Sequence, residues 1–314
     1  MNSNQLPIIS IIMPVMNRGD MIEKAILSVI NQNYPKTEFI ILDGGSTDNT
    51  LDVIKKHEKH ITYWHSQHDG SAAHATNMGI EKSTGDIVAL LMSDDYYEPG
   101  LFHQIAAAYQ SHPDVDIYTC AGSMVKDDQT IEKYNAQQLK LNFYNICYGA
   151  TGICFRFIKK SLHERIGLYI PFDSANHQFL TNDKEFLLRA VFNQTKEKFV
   201  DYPGYVHVSH EGSLSFGNHR RTFVQHCKEH MVIAEEYLAK YPMTIGQKMF
   251  FRYWYLDQSA KLFLFYLTSG NLKPAGKILK EGIKKHFLLW PFVFCTTSAN
   301  AVLKRLKMVF IHPR

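Results

Sequence analysis

The chain has 314 residues, 45% of them hydrophobic and 13% aromatic, enough for a sizeable core and too apolar for a disordered protein. A net charge of +4 from 34 basic and 30 acidic residues is too mild to imply nucleic acid as a partner. Its five cysteines, Cys120, Cys147, Cys154, Cys227 and Cys295, are odd in number and form no Cys-x-x-Cys pair, which argues against structural zinc and a disulfide framework.

Met1–Pro7 carries no basic stretch followed by an apolar one, so no secretory leader is expected and the expected location is cytoplasmic. Ile8–Val15 is a β-branched apolar run and reads as a first strand. Asp20–Asn33 follows with Met21, Ala25, Ile26, Val29 and Ile30 at helical spacing, Asp20 as an N-cap and Pro35 as a stop. Glu38–Leu42 reads as strand, Gly44–Thr47 as a turn into a helix ending near His60, and Ile61–His65 as strand. Ser71–Lys82 reads as helix, Ile87–Met92 as a strand buried on both faces, and Pro99 as the first residue of a helix running to about Ser111. Ile117–Ala121 is another strand. This alternation predicts βαβ units and a mostly parallel sheet, whose ligands bind at the carboxyl ends of the strands.

From about Arg220 long helical segments rich in Phe, Tyr and Lys take over. Between Lys273 and Arg314 lysines and arginines recur against a single acid, Glu281. Phe287–Leu303 is apolar but interrupted by Pro291, Thr296, Thr297, Ser298 and Asn300, too polar for a clear membrane span. It fits either packing on the protein or lying in a membrane interface.

The residues just past the strands are Asn17, Asp43, Asp69, Asp94 and Asp95. Crowded carboxylates repel, and a divalent cation relieves them; Mg²⁺ and Mn²⁺ bind one or two carboxylates together with substrate phosphates. The pattern therefore points to a metal-bound diphosphate. A dinucleotide oxidoreductase and a P-loop NTPase are disfavoured, because neither glycine-rich motif is present.

In order and spacing, Ile9–Asn17, Phe39–Thr50, Asp69–Gly79, Thr84–Pro99, Asn182–Arg189 and His210–Ser215 resemble the family-2 glycosyltransferases, inverting enzymes of the GT-A fold. The resemblance covers about residues 7–217. It implies an α/β fold class: a Rossmann-like, mostly parallel sheet flanked by helices, with residues 1–217 catalytic and 218–314 a C-terminal helical extension. It implies that Pro14 and Asn17 border the nucleotide, that Asp43 contacts its base or ribose, and that Asp69 and Asn77 line the nucleotide-sugar site. Asp94 and Asp95 stand for the family's acidic pair, Asp95 as principal ligand of Mn²⁺ or Mg²⁺ and Asp94 helping with ribose or metal. His210 is a further candidate ligand, and Asp183 stands where the family places its catalytic base.

Several positions depart from the family pattern. Thr76 stands where many relatives carry Arg, so a phosphate or base contact is either missing or comes from elsewhere, such as Arg220 or Arg221; Met92 is often Asp; Asn182 replaces an acidic neighbour of Asp183. No Gln-x-x-Arg-Trp motif is present, which favours transfer of a single sugar over processive synthesis. The expected partners are a nucleotide-sugar donor and a glycan or lipid-linked hydroxyl acceptor, as in cell-surface polysaccharide, O-antigen or capsule assembly, with peripheral contact at the inner membrane through the basic, apolar C-terminus. The competing readings are a non-catalytic nucleotide-sugar-binding scaffold and a sugar nucleotidyltransferase.

Overall fold

The computed structural model describes residues 6–149, 152–171, 179–210 and 219–286. The chain divides into two compact units, 1–217 and 218–314.

In the first unit β1 (Ile9–Val15), β2 (Thr37–Asp43), β3 (Tyr63–Ser66) and β4 (Ile87–Leu90) are joined by α1 (Ile22–Ile30), α2 (Thr50–Lys56) and α3 (Ala72–Lys82). β1 and β4 are buried at every residue, as strands covered on both faces must be. The four are parallel in the order β3-β2-β1-β4, so the chain reverses direction across the sheet between β1 and β4. A crevice opens at such a switch point, at the carboxyl ends of the strands.

Pro14 is compatible with this central strand for a geometric reason. The β1–β4 ladder ends at Ile12↔Leu90, with Leu91 N–H donating to the Ile12 carbonyl. Two residues on, Pro14 turns its nitrogen toward the same side, where β4 has already left, so no ladder bond is lost. In α3, Gly79 is required by contact: a Cβ there would lie 2.5 Å from Ile12 Cγ2.

Two expected helix starts differ. The α1 N-cap is Met21 rather than Asp20, because the Arg18 carbonyl already accepts the N–H groups of Met21 and Ile22 and closes the turn early. Pro99 lies ahead of α4 (Leu101–Ser111) rather than at its first turn, because Gly100, at φ 84°, is the residue that enters the helix.

Beyond β4 the sheet becomes mixed. β5 (Tyr96–Tyr97), β6 (Ile117–Lys126), β7 (Gln129–Tyr134), β8 (Arg156–Lys159) and β9 (Glu197–Val208) bring it to nine strands among the described residues. β8 is antiparallel to both β4 and β6, β9 is parallel to β6, and β5 closes antiparallel on β9. Tyr97, Phe102, Phe157 and Tyr205 interlock edge-on beneath this region. The Arg156 guanidinium is buried against Glu197 and donates to Thr119 Oγ1 (3.0 Å) and the Leu139 carbonyl (2.6 Å), tying β8, β6 and β9 to α5 (Ala136–Leu139). Between these strands lie α6 (Phe143–Tyr148), α7 (Lys160–Ile166) and α8 (Asn182–Phe192), with α6 packed on α8 and α7 on β8.

The second unit consists, in its described part, of α9 (His219–Lys240), α10 (Ile245–Thr268) and α11 (Leu272–His286). Thr244 and Gln247 form a capping box that starts α10, whose Phe251, Trp254 and Leu262 are fully buried. Among the described residues no helix is long and apolar enough to cross a membrane, and Phe287–Leu303 lies outside them.

His163 in α7 stacks on Phe186 of α8 at 5.0 Å, and burial, with the Arg189 charge, pulls its pKa down to about 3. The unfolded chain takes up this proton below about pH 6.5 while the folded chain refuses it, so stability is lost as pH falls through that window. Between pH 7 and pH 5 the loss from this one group is about 2 kcal/mol. His163→Phe, which keeps the stack, should show a correspondingly flatter dependence in urea unfolding at the two pH values.

Candidate active site

The site begins where β1 and β2 end. Val15 and Asp43 are in register, and Asp43 and Ser66 are in register on the other side, so three strand ends form one line. Asp43 is fully buried, and its carboxylate organises the loop that follows. Oδ2 accepts from the N–H of Gly45 (3.1 Å) and Ser46 (2.9 Å) and from Ser66 Oγ (2.6 Å), and Oδ1 accepts from Ser46 Oγ (2.5 Å). Four donors explain how a carboxylate tolerates complete burial.

Asn17, exposed and left-handed at φ 51°, couples this loop to β1. Its N–H donates to Ser46 Oγ (2.7 Å) and its Oδ1 accepts from the Thr47 N–H (2.9 Å). Asp69 packs over Gly44: a Cβ at Gly44 would stand 3.3 Å from each carboxylate oxygen. Burial raises the Asp69 pKa, with backbone N–H groups and His68 and His74 offsetting it in part. Asn17, Asp43 and Asp69 therefore belong to one loop cluster beside the crevice.

The second cluster forms at the turn from β4 to β5, closed by the Asp95 N–H donating to the Met92 carbonyl. Adjacent residues in this turn point to different surroundings. Asp95 is 1% exposed and is held by β9: Tyr205 Oη donates to Oδ2, His207 Nδ1 lies 3.1 Å from Oδ2, and the Val208 N–H donates to Oδ1 at 2.8 Å. Asp94 retains partial exposure and meets His210 Nε2 at 3.0 Å. Burial lowers the His207 pKa, but the Asp95 hydrogen bond and the charges of Asp95 and Asp94 outweigh it and leave it raised.

Asp183 sits in the first turn of α8, half-buried, with Oδ1 accepting the Lys184 N–H. The helix is fixed from behind by Arg189, buried against Glu185 one turn earlier and donating to the carbonyls of Ile166 and Leu168. Cys154, half-buried, feels the charge of these acidic groups. Desolvation and the charges of Asp95, Asp183 and Asp94 push its thiol up, with a Tyr205 hydrogen bond opposing them. Asp183 and Cys154 likewise raise the buried Tyr169 hydroxyl.

The remaining expected residues are placed as follows. Asn77 spends its amide on the backbone of Tyr169, donating to its carbonyl (2.8 Å) and accepting its N–H (3.0 Å), while Tyr169 stacks on Phe186 of α8 at 4.6 Å. Asn77 thus braces the segment ahead of α8. Thr76 is buried and bonds the Ala72 carbonyl within α3. The side chains of Arg220 and Arg221 and residues 211–218 lie outside the described residues.

Neither Tyr205 nor His207 stands among the residues expected from the sequence. Their period-two spacing in Tyr205-Val206-His207-Val208 was the available signal.

Among the described residues no three His, Cys, Asp or Glu side chains come together to hold a metal ion. Asp94 and His210 offer a carboxylate oxygen and an imidazole nitrogen facing one another, which suits a Mn²⁺-like ion that takes its other ligands from phosphate and water. Asp95, with its oxygens turned to β9, is placed instead to hold the strand that leads to His210.

A sequence profile described as glycosyl transferase family 2 matches residues 10–167. The putative teichuronic acid biosynthesis glycosyltransferase TuaG of Bacillus subtilis is 31% identical over 137 residues, covering 42% of this chain and 54% of TuaG. An uncharacterized glycosyltransferase of Haemophilus influenzae is 38% identical over 94 residues, 29% of this chain and 38% of its own. The matched stretches thus span about half or less of those two relatives.

Two solved structures share the GT-A fold. S. aureus TarS 1–349 in complex with UDP-GlcNAc superposes with a TM-score of 0.61 at 15% identity, covering 88% of this chain and 91% of that one. The mannosyltransferase PcManGT from Pyrobaculum calidifontis, in complex with GDP-Man and Mn²⁺, gives 0.54 at 17% identity, covering 96% and 87%.

The two neighbouring aspartates are expected to fail differently. Asp95→Ala strands three buried donors and should cost roughly 3–5 kcal/mol in urea unfolding, whereas Asp94→Ala, at a partly exposed pair, should cost under about 1 kcal/mol. Equal losses would contradict this division of roles.

Proposed function

The chain belongs to glycosyl transferase family 2, and on that premise we propose that it moves a single sugar from a nucleotide-diphosphate sugar to a hydroxyl acceptor, inverting the anomeric carbon. The observation that supports the reading is the Asp94–His210 contact at 3.0 Å beside buried Asp95, at the carboxyl end of the same parallel sheet where the Asp43 and Asp69 loops lie.

Asp43, Asn17 and Asp69 shape the wall for the nucleoside, with Pro14 just past the point where the β1–β4 ladder has ended. Asp183 is the general base. As the acceptor oxygen bonds to the anomeric carbon, its proton passes to the Asp183 carboxylate. The bond from that carbon to the diphosphate oxygen breaks, and the nucleoside diphosphate leaves from the opposite face. Arg189 with Glu185 keeps the helix that carries Asp183 in place. Asp94 and His210 would hold the divalent cation, which when bound supplies positive charge for the leaving diphosphate. Asp95 orients the β9 end that delivers His210.

The donors bound by the two neighbours make UDP- and GDP-sugars the first to test. The likeness to TuaG, a putative teichuronic acid biosynthesis glycosyltransferase, supports an acceptor in cell-surface polysaccharide; in this proposal the acceptor is a glycan or lipid-linked hydroxyl and the catalytic unit works in the cytoplasm.

Two measurements test this. In a donor panel with Mn²⁺, Asp183→Asn should keep donor affinity within about threefold while turnover falls by a factor on the order of 10² to 10⁴. Wild-type binding with no turnover on any donor and acceptor pair would favour the scaffold reading. In calorimetry, His210→Ala and Asp94→Ala should each weaken UDP binding with Mn²⁺ and change it little in EDTA. Unchanged affinity under both conditions would remove the cation from this pair.

A further inference from the structure

The second unit carries a surface that the sugar chemistry does not use. Along α11, Ala275 and Gly282 are buried and Ile278 and Leu279 half-buried, on the face that packs on α10. Lys273, Lys277, Lys280 and Lys284 are all exposed and recur at intervals of four, three and four residues. At about 100° per residue they fall within roughly 60° of arc, opposite the packed face. Lys285, on the flank, is spent differently: it pairs with Glu235 of α9 and lies over the Tyr255 ring. Glu281 is the only acid in the helix.

Like charges at these spacings weaken a helix. Beside it, Leu272 is 67% exposed and Ile283 39% exposed, two aliphatic side chains on one edge of a cationic face. Cations bordered by apolar groups, on a helix whose described residues are not long and apolar enough to cross a membrane, are the requirements of a helix lying in a lipid interface.

We propose that α11 seats the protein on an anionic phospholipid surface, with Lys273, Lys277, Lys280 and Lys284 among the headgroups and Leu272 and Ile283 dipping below them. The exposed aliphatics favour lipid over nucleic acid, which would meet the lysines and leave Leu272 and Ile283 in water. The inference deepens the reading of a lipid-linked acceptor and rests on it for its purpose: a membrane-seated transferase meets its acceptor in two dimensions.

The full-length chain should co-sediment with vesicles of phosphatidylcholine containing about a third phosphatidylglycerol, hardly at all with phosphatidylcholine alone, and less as salt is raised. K273Q/K277Q/K280Q/K284Q should weaken the partition by at least about 100-fold, since each lysine near such a surface contributes about a fivefold factor. The control K55Q/K59Q/K126Q/K133Q, equal in charge and exposed in the first unit, should bind as wild type. L272S/I283S should weaken binding without changing its salt dependence. Full binding by the α11 quadruple variant would overturn the proposal and assign the attachment to residues 287–314. Wild-type binding to duplex DNA with none to vesicles would overturn it in favour of nucleic acid. Asp183→Asn should bind vesicles normally, and the quadruple variant should bind UDP normally, so loss of either function is read separately.

Discussion

The architecture turns on one buried carboxylate. Asp95 ends the excursion from β4, and β9 is recruited from more than a hundred residues downstream to satisfy it through Tyr205, His207 and the Val208 N–H. Without those donors a charge would stand in the interior at a cost of several kcal/mol, so the pairing of β5 with β9 and the burial of Asp95 depend on each other. The consequence reaches the surface. With Asp95 committed inward, its neighbour Asp94 is left at the crevice, and the continuation of β9 carries His210 to within 3.0 Å of it.

The opposite wall follows the same rule of satisfied carboxylates. Asp43 takes four donors from its own loop and from Ser66, while Asn17 joins that loop to the end of β1. The loop is thereby shaped before any ligand arrives, and preorganisation of this kind lowers the entropy lost on binding. Asp69 contributes differently, as a partly desolvated carboxylate packed on Gly44.

Asp183 reaches the site through supports that touch no substrate in the proposed mechanism. Glu185 and Arg189 fasten α8 to the segment after α7, and Asn77 of α3 fastens Tyr169, whose ring packs on Phe186. The motif positions Asn77 and Arg189 thus bear on catalysis through placement. The Tyr169 hydroxyl is buried without a hydrogen-bond partner among the described residues and feels the charge of Asp183.

Much of the first unit was legible because its signals are local. Apolar runs of strand length, helical spacing in Met21–Ile30 and turn residues after each strand report short-range packing, and a parallel sheet places every strand end on one edge. The acidic residues at those ends could therefore be named from the sequence, as could the family. What each does was not legible. Asp94 and Asp95 are adjacent and chemically identical, and only β9 decides which is buried. β9 itself is hidden by Pro203 and Gly204, where its register against β6 shifts. The amide of Asn77 finds its partner 92 residues away. Local spacing determined the elements and the edge where chemistry would gather; the roles of individual side chains were decided by long-range hydrogen bonds, which no local pattern encodes.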